Sequence, residues 1–152
     1  MIEVQPIGVV HGGRKEALDD QWGAVEATIE LDPARVSPES TQGLAEFSHV
    51  VVVFHMHKVP ESKVETGARH PRERNDWPKT GIFAQPARSR PNRIGVTTVE
   101  LIGVDGLKLR VRGLDAIDGT PVLDIKPYIT GFAPRGEIHE PAWVKELMRT
   151  YW

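Results

Sequence analysis

Two groups of charged side chains define the stretch of this sequence best suited to chemistry. Arg88, Arg90 and Arg93 crowd a rigid Pro91-Asn92 step, and Asp115, Asp118 and Asp124 recur around a Gly119-Thr120-Pro121 turn. Guanidinium forks grip a carboxylate or phosphate with two hydrogen bonds at once. A cationic loop and an acidic loop held close in sequence suit a zwitterionic ligand or an anionic polymer better than a core. Asp-Gly-Thr-Pro alone is an ordinary turn. It gains meaning from Leu114-Asp115 before it and Asp124-Ile125-Lys126-Pro127-Tyr128 after it.

His55-Met56-His57, with His49 further along the same strand face, offers the donor type that zinc or iron takes. No third ligand stands at a fixed spacing, so a hydrogen-bonded or ligand-contacting histidine is the better reading, and no metal is expected. No Gly-x-Gly-x-x-Gly or Walker motif occurs, which removes the usual nucleotide loops. Cysteine is absent. Disulfides, thiolate catalysis and cysteine-ligated metals are therefore excluded.

The net charge of −2 gives no global reason to expect nucleic acid. The distribution does better. Residues 1–62 carry a net −6, whereas residues 63–93 carry a net +5 through Lys63, Arg69, Arg72, Arg74, Lys79, Arg88, Arg90 and Arg93. A basic middle on an acidic body is the footprint of a local phosphate-facing patch. The longest apolar run, Val50 to Phe54, is strand-length, and the first residues lack the build of a signal peptide. A cytoplasmic protein without a membrane span is expected.

The elements that must position these groups follow from periodicity. Residues 2–10 read as a first strand, with Pro6 marking an edge or bulge. Val25, Ala27, Ile29 and Leu31 alternate with polar residues, as does Leu107 to Arg112. Ser48 to His57 is a β-branched central strand, Gly81 to Gln85 a short one, Ile94 to Val104 a long one and Val122 to Ile129 another. Asp105-Gly106 is a strong hairpin signal. Ser37-Pro38-Glu39 starts a short helix to about Gly43, and Pro141 starts a terminal helix pairing Trp143 with Leu147 and Val144 with Met148. Residues 58–79 are a long loop. About seven strands without βαβ alternation make a mostly β fold: a single antiparallel barrel or curled sheet with short rim helices and a C-terminal helix, as one domain over residues 1–152.

The motif F-x-x-x-x-x-x-R-P-N-x-I-G, followed by G-L-D-x-x-D-G-T-P-V-L-D-I-K-P-Y, resembles the TrmO/TsaA-type tRNA (adenine-N6)-methyltransferases. P-I-G-V-V near the start and G-L-A-E-F-S-H-V before the central strand support it. The resemblance implies a β-barrel, often dimeric, that binds S-adenosylmethionine without a Rossmann fold. It further implies methylation of N6 of the threonylcarbamoyl-modified adenosine beside the anticodon of certain tRNAs.

Carried onto this chain, the resemblance places His57, Lys58, Val96 and the step from Arg112 through Gly113 and Leu114 to Asp115 at the cofactor. Arg88, Arg90, Asn92 and Asp118 from the two charged loops complete the expected cofactor set. The pattern departs at residues 18–23, where the family has a P-R-Q segment that closes over the cofactor. It departs at Pro86, where many members have an arginine whose charge Arg88 would replace. Arg93 stands in the family's R-P-N-P, and Arg69 to Pro78 replaces a P-P-R-L-G-G segment. For catalysis, an acceptor must take charge as N6 becomes cationic. Asp124 as that acceptor and Tyr128 as a ring stacked on the base are the candidates, by analogy with the acidic loops of unrelated adenine methyltransferases. Arg69, Arg72, Arg74, Lys79 and Lys126 would engage the anticodon stem-loop. A binding module on the same fold, or a methyltransferase with a non-tRNA acceptor, are the competing readings.

Overall fold

The β-branched run in the middle of the chain forms strand β3, His49–His55, with Val50, Val52 and Phe54 buried and the alternate residues facing out. The same alternation builds β1 Gly8–Gly12, β2 Glu26–Leu31, β6 Ile94–Asp105, β7 Lys108–Arg112 and β8 Pro121–Pro127. In the computed structural model, which describes residues 1–152, these six strands close into a barrel in the order β1-β2-β7-β6-β3-β8, all pairs antiparallel. Closure leaves no strand edge unpaired. Val10, Ile29, Val50, Val52, Leu109, Val111 and Val122 meet inside at zero exposure. Each such side chain contributes about 1.5–3 kcal/mol by leaving water.

The two halves of the outer wall differ. On β2 and β7 it is charged: Arg112 bridges Glu26 at 2.7 Å and Glu100 at 3.0 Å, and Arg110 reaches Glu26 at 3.6 Å. On β3 and β6 the register places Val53 against Val96 and His55 against Ile94, giving an apolar wall. Val96 is 63% exposed there.

Several elements are shorter than the sequence suggested. The first strand starts at Gly8 rather than residue 2, past Pro6, which cannot donate to a ladder. Pro38–Thr41 is a single 3-10 turn because Gly43, in the left-handed region at φ 83°, breaks it from the next turn at Leu44–Glu46. The stretch from Gly81 divides into the two-residue strand β5, Thr80–Gly81, and a 3-10 turn, Ile82–Ala84. Strand β5 pairs with β4, Ala68–Arg69, so the long connection carries its own small ribbon. The terminal helix α1 spans Ala142–Met148.

Gly95, the glycine of R-P-N-x-I-G, has a packing reason to be there. A Cβ at that position would lie 2.4 Å from the Phe54 ring, so only glycine lets the ring lie across β6. That contact forms the floor on which the site is built.

Candidate active site

At the Phe54 end of the barrel, β3 runs out into Met56-His57-Lys58, β6 enters at Ile94, and the Gly113-Leu114-Asp115 step follows β7. The connection between β3 and β6, the loop at residues 14–22 and the C-terminal segment fold over this end. They enclose a cleft of about 870 Å³ whose walls include His57, Lys58, Arg88, Arg90, Val96 and Asp115, together with Arg69 and Arg72. That volume lies in the range of small-molecule sites.

Asp115 is the focal anion. Thr97 donates from Oγ1 to Asp115 Oδ1 at 2.5 Å, and the Tyr151 hydroxyl donates to Oδ2. Burial, then the charge and hydrogen bond of Asp115, hold the Tyr151 phenol protonated far above its ordinary range. With one donor on each oxygen, the carboxylate keeps lone pairs for a ligand's amino or hydroxyl groups.

His57 supplies a second polar contact. Burial, with the neighbouring charges of Lys58 and His55, lowers its pKa below the usual imidazole value, so the ring is neutral near pH 7. Its Nδ1 is buried without a partner. The unfolded chain takes up this proton near pH 6.5 but the folded chain resists, so stability is complete above about 6.5 and falls as pH drops toward the folded pKa. Chemical denaturation at pH 7 and pH 5 should therefore show a smaller acid loss in His57→Gln than in wild type. Equal losses would remove His57 from this role.

The arginines largely brace the walls. Arg88 Nη1 donates to the Ala17 carbonyl at 2.8 Å, tying the 14–22 loop to the cleft. Arg90 Nη1 donates to the Gln85 carbonyl at 2.6 Å. Arg72 pairs with Asp20 at 3.1 Å, and Arg74 pairs with Asp76 while stacking 4.0 Å over Trp77. Lys79 is exposed and outside the cleft lining, and Asn92 is exposed in the turn before β6. Lys63, unremarked in the sequence beyond its share of the basic middle, lies exposed on the rim.

Other expected site residues point elsewhere. Strand alternation sends Arg112 to the outer wall, while Gly113 turns the chain at φ 86° and Leu114 enters the core at 1% exposure. Asp118 Oδ1 accepts the Gly12 N–H at 2.9 Å and so fastens β1. Asp124, paired with Lys126 at 2.9 Å, faces out from β8 beside Val53. Tyr128 lies edge-on to His49, ring centroids 6.4 Å apart, at the opposite end of β3 from the cleft. By strand rise, Asp124 is about 13 Å along β8 from Thr120 in the cleft wall, and Tyr128 about 26 Å. The structure does not bring these two residues to their own cleft. The histidines are likewise spread along β3, and no three metal-ligating side chains converge.

A model of the tRNA-methyltransferase O N-terminal domain matches residues 19–133. The chain belongs to the TrmO family. A Pyrococcus abyssi protein named "Probable S-adenosyl-L-methionine-binding protein" is 38% identical over 141 residues, 91% of this chain and 74% of that one. The mouse tRNA (adenine(37)-N6)-methyltransferase is 44% identical over 97 residues, covering 63% of this chain and 22% of the mouse protein. A crystal structure of TrmO from Pseudomonas aeruginosa superposes with a TM-score of 0.71 at 32% identity, covering 91% of this chain and 61% of that one. The chain thus spans under two thirds of the solved TrmO chain.

The match to the TrmO domain ends before α1, yet that end of the chain closes the cleft. Leu147 and Tyr151 line it, and Trp77 donates from Nε1 to Glu146 at 2.7 Å while packing on Trp143. Backbone bonds from Gln21 to Thr150 and from Trp22 to Tyr151 sew the tail to the 14–22 loop. Neither Thr97 nor Tyr151 carried a local signal, because each matters only through Asp115.

Proposed function

We propose that this chain is an S-adenosylmethionine-dependent methyltransferase that acts on N6 of the threonylcarbamoyl-modified adenosine next to the tRNA anticodon. The observation that carries this reading is the single cleft that gathers Asp115, His57, Val96 and the arginine loop of the family motif around one cavity. A part-buried carboxylate with open lone pairs fits a cofactor carrying amino and hydroxyl groups. Asp115 would hold its amino or ribose hydroxyl groups, with His57 and the Val96 strand against the rest. Bound there, the sulfonium supplies the methyl group for in-line displacement. The protein's part is to fix the reacting atoms in line and to exclude water, which the C-terminal segment and the 14–22 loop do by roofing the cavity.

The apolar outer wall completes the reading. Val51, Val53, Ile94 and Val96 form a face that begins at the cleft lip and ends at Asp124 and Lys126 on β8. An isologous dimer that lays the cleft-lip end of this face against the partner's β8 end would bury it and carry Asp124 and Tyr128 toward the partner's cleft. In that arrangement Asp124 accepts the N6 proton and Tyr128 stacks on the base. The tRNA substrate places this work in the cytoplasm.

Lys58 and Lys63 stand exposed on the rim without a carboxylate within ion-pair distance, while Arg72 and Arg74 are already paired. The first two, with Arg69, should therefore dominate phosphate contact. Lys58→Gln combined with Lys63→Gln is expected to lower the slope of log affinity against log salt by about 1.5 for an anticodon stem-loop. The activity itself is tested by transfer of labelled methyl to tRNA with and without the threonylcarbamoyl group. Label in neither would refute the assigned acceptor, and an unchanged salt slope would refute the assigned RNA face.

A further inference from the structure

Phe83 is the odd residue of the basic connection between β3 and β6. It is 80% exposed, although the chain on both sides of it is fastened down. On one side Ile82 is 1% exposed, and its N–H donates to the Gly67 carbonyl at 2.9 Å. On the other Gln85 is buried, and its Nε2 donates to the Arg69 and Thr80 carbonyls, each at 3.1 Å. Phe83 thus stands in the middle of the 3-10 turn Ile82–Ala84, which the β4–β5 ribbon holds at both ends. A fixed backbone presents this ring to solvent.

Charge and position together choose its occupant. Within residues 58–93, Arg72, Arg74 and Arg93 have a carboxylate within ion-pair distance. Lys58, Lys63, Arg69, Lys79, Arg88 and Arg90 have none, and only Glu65 and Glu73 remain unpaired against them. Two of these cations belong to the turn's own support: Arg69 pairs in register with Thr80, and Lys79 precedes it. An exposed ring in a surplus of free cations suits an anionic polymer with flat apolar faces, which is single-stranded nucleic acid. Gln85 and Pro86 stand in the cleft wall, whereas Phe83 does not. Two residues of chain span at most about 7 Å, so the Phe83 backbone lies within that distance of the wall.

RNA loops are recognised by splaying their bases onto aromatic rings. A phenyl ring has no polar atom, so it stacks on any base without reading its edge. An RNA loop that delivers one base into the cleft must lay its neighbours across the rim. We propose that Phe83 is the stacking platform for a nucleobase flanking the target adenosine, while the unpaired cations around it take the phosphates. The assignment rests on the tRNA-methyltransferase reading and adds to it a base contact outside the reaction cavity.

The test measures binding of anticodon stem-loops carrying threonylcarbamoyl-adenosine at the target position. Phe83→Ala should weaken binding by about 5- to 150-fold, the range for losing one stacked base. Phe83→Trp, which keeps a π-face, should stay within about threefold of wild type. Bases within two positions of the target are then removed one at a time as abasic sites. One removal should weaken wild type by a factor similar to Phe83→Ala, yet weaken Phe83→Ala itself by no more than about twofold. S-adenosylmethionine affinity should be the same in wild type and Phe83→Ala, which verifies that the variant is folded. If Phe83→Ala binds RNA like wild type, or every abasic loss simply adds to its own, the platform falls while the methyltransferase reading stands. If Phe83→Ala sediments as a smaller assembly than wild type, the ring is a contact between copies and the assignment is overturned. If wild type binds none of these RNAs, the platform and the tRNA reading fall together.

Discussion

Asp115→Ala is expected to weaken S-adenosylmethionine binding by at least about 100-fold, read by calorimetric titration beside wild type. The magnitude follows from the site. Hydrogen bonds to a charged group contribute about 1.5–3 kcal/mol each, and a factor of 100 corresponds to about 2.7 kcal/mol. Of the other two carboxylates in the cleft lining, Asp19 and Glu73, both are exposed, whereas Asp115 is part-buried and held from both sides. No neighbour can replace it. The substitution also strips Thr97 and Tyr151 of their acceptor, so a structural explanation must be separated. Tyr151→Phe does this: it removes one hydroxyl and keeps the carboxylate. It should cost about 1 kcal/mol of stability and change cofactor affinity less than about fivefold. If Asp115→Ala titrates like wild type, Asp115 is no cofactor ligand, and the cleft loses the group on which the reading depends.

Why Asp115 was legible and its partners were not is a matter of range. β-branched alternation around Val50, Val52 and Phe54, and the Asp105-Gly106 turn, are written locally, and the barrel strands follow from them. The G-L-D step is also a local signal. Thr97 and Tyr151 reach Asp115 from 18 and 36 positions away, and only barrel closure and the docking of the C-terminal tail create that contact. Linear nearness misled in the other direction. Arg112 is three positions from Asp115, yet strand alternation turns it to the opposite surface, where it pairs with Glu26 and Glu100. The basic middle likewise reads as uniform charge until Asp20 and Asp76, one of them far off in sequence, are seen to neutralise Arg72 and Arg74.

The second large effect concerns Asp124, which faces away from its own cleft. If it works on the partner's cleft, Asp124→Ala alone should lose about 100-fold or more in kcat, since it removes the acceptor that takes charge from N6. Cofactor binding should be unchanged, because Asp115 and His57 are intact in every chain. Mixing separately inactive Asp124→Ala and Asp115→Ala proteins should then restore activity. Random reassociation makes half the dimers mixed, and each mixed dimer has one of its two sites complete, so about a quarter of wild-type activity should return. The restoring site is formed by Asp115 of one chain and Asp124 of the other. If Asp124 instead served its own chain, no mixed dimer would hold a complete pair with both carboxylates facing one cavity except through the very rearrangement the barrel forbids: an outward β8 side chain paired beside Val53 cannot turn inward without shifting the strand register by one residue. No recovery on mixing, with exchange of subunits verified by mass, would refute the shared site, whereas full activity of Asp124→Ala by itself would place Asp124 outside the reaction and leave its bond to Lys126 as its whole role.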